Sequence, residues 1–241
     1  MAREKGILLP RIQGTAAKGA DSLPLMTLTK TELLVGETHI ADVIPGPLGF
    51  DAKIKRMEQR SALQLMPLDA ALRPIHAAHP EESSLRVLVD RSTAYRSALE
   101  AVFTAAQTGF TTFFFVVSSA QGESAVMAST PSKAEWEAAH TAGAPQPPSF
   151  VLDTSGVTLT VGTVRIGADC TKGKEGVAVP TLDATAVAAC AKKVHAMSPE
   201  WSALMAANVT AAPELEMQVV LGIVAGIEST YATVHFGMMT R

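Results

Sequence analysis

The sequence predicts an α+β fold: two tandem β-β-α-β-α-β units, each a small mixed sheet with two helices on one face. Three observations lead there. The phrases IHAAHPEE (Ile75–Glu82) and VHAMSPEW (Val194–Trp201) share His, Ala, Pro and Glu in the same order, and 195 − 76 sets their histidines 119 residues apart. Each phrase is followed by a strand, an amphipathic helix and a second strand. Each is preceded by a Thr-Leu-Thr strand that opens a hairpin. Self-similarity at a fixed offset is the trace an internal repeat leaves. The chain therefore divides into an extended arm (1–23), a first unit (24–118), a linker with a short helix (119–149) and a second unit (150–241).

In the first unit, MTLTKTELLVGE (Met26–Glu37) reads as a hairpin. Thr27 and Thr29 alternate with Met26 and Leu28 across its faces, and the second strand ends at Gly36. The break is not Asn-Gly, so the turn type stays open. Pro45–Gly49 reads as a loop insertion. Pro67–Pro80 carries Leu68, Leu72, Ile75 and Ala78 at helical spacing, with Pro74 expected to kink or restart the helix. Leu85, Val87 and Val89 alternate as a strand. Ser92 or Thr93 offers a side-chain cap to the next helix. Tyr95, Leu99, Val102, Phe103 and Ala106 share one helical face, and Gly109 sits where a left-handed C′ residue is wanted. Phe110–Val117, rich in aromatic and β-branched residues, is the closing strand.

The linker is rich in Ser, Ala, Gly and Pro. Its one helical stretch is PSKAEWEAAH (Pro131–His140), where Trp136 is placed to dock on a unit; Pro145, Pro147 and Pro148 end it stiffly. In the second unit VTLTVGTVRIGA (Val157–Ala168) is the matching hairpin, with Gly167 in the place of Gly36. Lys172–Gly176 is a loop insertion. Leu182–Met197 is a helix bearing Val187, Ala191 and Val194. Pro213 suits a first helical turn. Leu215, Val219, Gly222, Ile223 and Gly226 share the next helical face, and Tyr231–Phe236 closes the unit.

Composition excludes several classes. Of the 241 residues 47% are apolar but only 5% aromatic, so the core is built from Ala, Val, Leu and Met. A net charge of −3 with no dense basic stripe argues against nucleic acid. Lys53, Lys55, Arg56 and Arg60 read as a solvated surface. The most apolar run, Met217–Ile227, is about half the roughly 20 residues that a bilayer needs. MAREKGILLPRIQG has no uninterrupted apolar region of the signal-peptide kind. Cys170 and Cys190 form no C-x-x-C pair. In an oxidising compartment they would close one loop, stabilising by roughly 3 kcal/mol in the chain-entropy treatment; in a reducing one they would remain buried thiols.

Candidate chemistry is sparse. His76 and His195 suggest a metal or catalytic pair, but no further ligands repeat with them, and they read better as helix-end residues near C-terminal carbonyls. Cys190 and His195, five residues apart on one helix, do not share a face, which weakens a Cys/His hydrolase. No G-x-S-x-G, P-loop or G-x-G-x-x-G occurs. Asp90, Arg91 and Tyr95 follow a strand and open a helix, where loops carry binding groups, and are the candidate partner-binding residues. Against this, Asp90 could cap a turn and Tyr95 could pack in the core. The closing strands are candidates for edge pairing with a partner.

Four stretches resemble the periplasmic domain of the ExbD/TolR family of biopolymer-transport proteins. LLPRIQGTAAKG is similar to the extended stretch after that family's single transmembrane helix. MTLTKTELLVGE resembles its Thr-rich first hairpin. LRVLVDRSTAYRSALEAVFTAAQTGF resembles its strand, Asp, Tyr and helix ending near Gly, and TTFFFVV its closing strand. The second unit departs from the pattern, with Thr210 standing where Asp90 does and Leu215 where Tyr95 does.

The resemblance implies a periplasmic domain anchored in the inner membrane by an upstream helix, with Met1 not the native start. It implies an ExbB/TolQ-like channel partner and contact with an energy-transducing protein or peptidoglycan. The family's proton-carrying aspartate lies in that helix, so no residue here is expected to carry the proton step, and no catalytic, metal or cofactor residue is expected. Family members usually carry one such domain and dimerise; two in one chain imply an intramolecular pseudo-dimer or a homodimer. A periplasmic location favours a Cys170–Cys190 disulfide. The alternatives are a stand-alone protein-interaction scaffold with a duplicated fold and, behind it, the Cys/His hydrolase.

Overall fold

A computed structural model describes residues 6–12, 22–56, 63–131, 135, 137 and 146–237. Over these the chain is mixed α+β, with helices set among parallel and antiparallel strand pairs. Contacts group it into two units. The first comprises residues 1–127 and 213–221, the second 128–212 and 222–241. The division is thus not a plain head-to-tail cut, because a short late segment belongs with the first unit. The linker helix expected at 131–140, Trp136 and Arg60 lie largely outside the described residues.

In the first unit, β1 (Leu25–Leu28), β2 (Glu32–Val35), β3 (Thr38–Ile44) and β4 (Gly49–Phe50) run as an antiparallel meander. A 3₁₀ turn (Ala52–Ile54) and α1 (Met66–Ala78) lead to β5 (Ser84–Val89), α2 (Tyr95–Gln107), β6 (Thr112–Ser119) and β7 (Gly122–Ser129), whose last two residues fall in the second unit. The strand order is β7-β6-β5-β1-β2-β3-β4, with β1, β5 and β6 parallel. The closing strand β6 is therefore central and not an edge. Leu85, Val87, Val89, Phe113, Phe115 and Val117 are all buried, the period-2 pattern of one strand face.

Several local expectations need correction. Strand β7 occupies part of the stretch assigned to the linker; its small Ala125 and Ala128 bury as strand residues although the composition reads as loop. The hairpin continues beyond Gly36 into β3 through a two-residue Gly36-Glu37 loop, with Gly36 at φ 60°. Helix α1 runs unbroken through Pro74. Neither Ser92 nor Thr93 caps α2; Ala94 is its N-cap, with no side-chain bond. Instead Tyr95 N–H donates to Leu215 C=O (2.7 Å) and Arg96 N–H to Pro213 C=O (3.1 Å). In return, Met217 N–H donates to Thr93 C=O and Gln218 N–H to Arg91 C=O. Two helix starts thus satisfy each other's orphan donors through backbone alone. At the other end of α2 the expectation for Gly109 holds: φ is 114°, and Phe110 and Gly109 N–H groups return to Ala105 and Ala106. The deepest face of α2 is Tyr95, Ala98, Ala101, Val102 and Ala105, while Phe103 and Ala106 are half-buried.

The second unit holds β8 (Pro148–Asp153), β9 (Gly156–Val161), β10 (Val164–Gly167), a 3₁₀ turn (Ala168–Cys170), β11 (Thr171–Lys172), α3 (Ala184–His195), α4 (Pro199–Ser202), β12 (Ala206–Ala211), α5 (Met217–Glu228) and β13 (Thr233–Phe236). The order is β11-β10-β9-β8-β12-β13, with β8, β12 and β13 parallel. Ser129, at the end of β7, pairs with His235 on β13, so this closing strand too has neighbours on both sides. The Thr-Leu-Thr of Thr158–Thr160 lies in β9, whereas Thr27 and Leu28 lie in β1. Gly162, at φ 57° in a two-residue loop, is the turn glycine that resembles Gly36; Gly167 is not in that conformation. Gly167 is needed for space, since a Cβ there would sit 1.7 Å from Lys174 C=O. Pro213 precedes α5 by four residues instead of opening it. Asp183 caps α3 by accepting from Ala186 N–H at 2.7 Å. Gly226 of α5 brings that helix against Ala184 and Ala188 of α3, a close approach that explains the alanine-rich surface.

Candidate functional site

The residues after β5 are held by the N-terminal arm. Ile7 and Ile12 are buried, Ile7 against Leu88 and Val116. The described part of the arm, residues 6–12, is docked: Ile12 N–H donates to Ser118 C=O and Ser118 N–H to Pro10 C=O, beside β6. Arg91 N–H donates to Leu8 C=O at 2.7 Å. Gln218 behaves as a surrogate strand for Arg11, accepting its N–H at 2.7 Å and donating to its C=O at 2.6 Å.

Asp90 is the pin of this arrangement. Its Oδ2 accepts Leu8 N–H (3.0 Å), and its Oδ1 accepts the N–H (3.0 Å) and the hydroxyl (2.5 Å) of Ser92. Burial pushes the carboxyl up, but the Ser92 and Leu8 hydrogen bonds and the Lys30 charge outweigh it and hold it below the usual carboxylate range. Of the three candidate partner-binding residues, Asp90 is 8% exposed and Tyr95 1%; only Arg91 is a surface group. The first two are held by the fold: three donors offset the cost of burying the Asp90 carboxylate, and the Tyr95 ring is packed at a helix start.

Around Arg91 the surface is concave. A cavity of about 470 Å³ is lined by Leu8, Arg11, Lys30, Arg91, Ser92, Glu216 and Gln218. A second, of about 250 Å³, shares Leu8, Arg11 and Arg91 and extends to Leu9, Ser118 and Glu123. A third, of about 150 Å³, shares Lys30, Ser92 and Glu216 and extends to Val43, Ile44, Pro45 and Gly46. All belong to the first unit. Arg11, Lys30, Glu216 and Gln218 had carried no signal in the sequence, since only folding brings Gln218 to Arg11 across 207 positions.

The histidines occupy similar settings. His76 meets Phe110 edge-on at 5.3 Å and His195 meets Tyr231 edge-on at the same distance. His76 Nδ1 lies 3.3 Å from Glu82 C=O, a carbonyl beyond its helix. Burial pushes the Tyr231 phenol up to about 12. Among the described residues no group of three or more His, Cys, Asp or Glu could hold a metal ion. Cys190 is bonded to Cys170, so it offers no thiol to His195.

Two further polar clusters were not anticipated. Glu100, with no exposed surface, accepts from Lys55 Nζ (2.7 Å), Arg96 Nε (2.6 Å) and Phe50 N–H (3.1 Å). Lys55 is correspondingly buried, not the solvated residue expected. Ser129 Oγ lies 2.8 Å from Nδ1 of the buried His235. Neither cluster opens onto one of the three cavities. No family model, curated protein or solved structure matches the chain.

Proposed function

We propose that the chain is the non-enzymatic periplasmic part of a membrane-anchored accessory subunit in a proton-motive-force-driven transport or motility complex. In this reading an ExbB/TolQ-like channel is its membrane partner, and the domain engages a protein partner or peptidoglycan. The observation that carries the proposal is the placement of the resembling stretches. Residues 26–37 supply β1 and β2, residues 85–110 supply most of β5 and all of α2, and residues 111–117 supply most of β6; these strands are neighbours in the order β6-β5-β1-β2. The Leu-Pro stretch at Leu9–Arg11 lies beside β6. Stretches that resemble the family at separate places in the sequence thus make one contiguous run of four strands.

The same reading takes the two units as a duplication that stands in for two single-domain copies. Its support is the parallel in element order, the Gly36 and Gly162 turns at φ 60° and 57°, and the two edge-on histidine pairs. The test is the native gene product, tagged at its C-terminus. Membrane fractionation should recover it in the inner membrane with the tag open to periplasmic protease, and cross-linking should capture an ExbB/TolQ-like channel. A cytosolic product, or one that captures no such channel, would sink the proposal.

A further inference from the structure

We infer that the groove made by the three cavities is a docking site for an extended, acidic peptide segment of a partner protein. The inference rests on the reading of this chain as a partner-binding domain, and it names the chemistry of what is bound.

Charge comes first. The central cavity is walled by three exposed cations, Arg11, Lys30 and Arg91, against one carboxylate, Glu216. None of the three cations forms an ion pair among the described residues. Asp90 is the nearby anion, and its oxygens already hold Leu8 and Ser92, so it reduces the local charge without occupying the cations. Glu123 adds a second carboxylate only at the outer end. Two guanidinium forks and an ammonium facing one concavity are suited to carboxylates, which they bind through paired N–H donors.

Shape and apolarity come second. The cavities share walls in sequence, through Leu8, Arg11 and Arg91 at one junction and Lys30, Ser92 and Glu216 at the other. The result is a groove and not a pit, which favours an extended chain over a compact small molecule. Both ends offer apolar walls, Ile7 and Leu9 beside Ser118 and Glu123 on one side and Val43, Ile44 and Pro45 on the other. Leu8 is 54% exposed beside the cations. The matching ligand has a short acidic centre with an apolar residue on either side.

The probe is a fluorescein-labelled peptide, Leu-Asp-Glu-Asp-Leu with one flanking Ser at each end, compared with its Asn-Gln-Asn counterpart by anisotropy on the full chain. The acidic peptide should bind at least about tenfold tighter, and its binding should weaken as salt is raised, because exposed charges are screened within about 10 Å at 0.1 M salt. Arg91→Gln and Lys30→Gln should each lower its affinity about tenfold, while Glu216→Gln should raise it. All three change exposed side chains, and unchanged melting curves would show that the fold is intact. Equal binding of the two peptides, or indifference to Arg91→Gln and Lys30→Gln, would overturn the inference. So would binding of a soluble muropeptide through these residues with no binding of the acidic peptide, which would give the groove to the cell wall. A chain that binds the acidic peptide but captures no channel leaves the groove standing and removes only the larger proposal.

Discussion

Glu100 and Asp90 are both buried carboxylates of the first unit, and they are stabilised by different means. Glu100 is held by two cations and one backbone donor, and Asp90 by two backbone N–H groups and a hydroxyl. Removing one member of a buried ion pair leaves the other charge without compensation, which costs about 3–5 kcal/mol. Glu100→Ala should therefore lower unfolding free energy by about that much in urea titrations, while Glu100→Leu combined with Lys55→Met should recover most of it. A double variant no more stable than Glu100→Ala would mean that the pair is not the source of the loss. Asp90 is tested by pH. Its folded pKa is depressed, so its contribution is present above the unfolded carboxylate value and is lost as pH falls through the folded one. Asp90→Asn should destabilise the chain at pH 7 by about 1.5–3 kcal/mol, the worth of hydrogen bonds to a charged group, and flatten the acid limb of melting temperature against pH. His235 has its own window. Burial lowers its pKa, opposed by the Glu135 charge, so protons favour the unfolded chain as pH falls from the ordinary histidine value of 6.5 toward the depressed one. His235→Gln, which keeps a partner for Ser129, should remove the loss of stability in that interval; an unchanged profile would exclude it as the source.

The 20-residue loop closed by Cys170 and Cys190 ties the 3₁₀ turn before β11 to α3. Asp169 adds an ion pair to Lys174 and its carbonyl accepts from Lys193, so the turn is held from both sides. Reduction, or Cys170→Ser with Cys190→Ser, should cost about 3 kcal/mol if loop closure in the unfolded chain dominates. Hydrogen exchange should rise first at residues 168–176; uniform loss over the second unit, or none, would contradict a local role. The long helices and β5 were legible in the sequence because their apolar periodicity extends over many residues. Strands β3 and β7 were not, since polar Thr38 and His39 open the first and small Ala125 and Ala128 mark the second. The pairing of the Thr-Leu-Thr words slipped by one strand because a three-residue word does not fix register, whereas the φ of Gly36 and Gly162 does. The groove was legible only at Arg91. Its other cations are contributed by a hairpin turn at Lys30 and by the arm at Arg11, whose nearness is a product of tertiary hydrogen bonds that no local pattern encodes.

The first unit takes residues 213–221 from a part of the chain whose flanks belong to the second. That segment supplies the acceptors for Tyr95 and Arg96 N–H at the start of α2, the surrogate strand for Arg11, and the Glu216 wall of the groove. An expressed fragment of residues 1–127 would contain every strand the first unit needs, up to Met127 of β7, and lack all of these. A buried donor left without a partner costs about 1–3 kcal/mol, and Tyr95, at 1% exposed, cannot turn to water without opening the helix start. Small domains are stable by about 5–15 kcal/mol, so several such losses together are decisive. The fragment should accordingly show rapid hydrogen exchange through α2 and ready proteolysis after Arg91 and Arg96. The same fragment joined through a flexible Gly/Ser linker to residues 213–221 should regain protection in α2 and groove binding of the acidic peptide. If residues 1–127 alone are as protected as the full chain, the late segment is an ornament of the first unit; if the fusion restores it, the first unit depends on that segment, and variants in 213–221 should reach a groove whose other walls lie far earlier in the chain, Arg11 being 207 positions from Gln218.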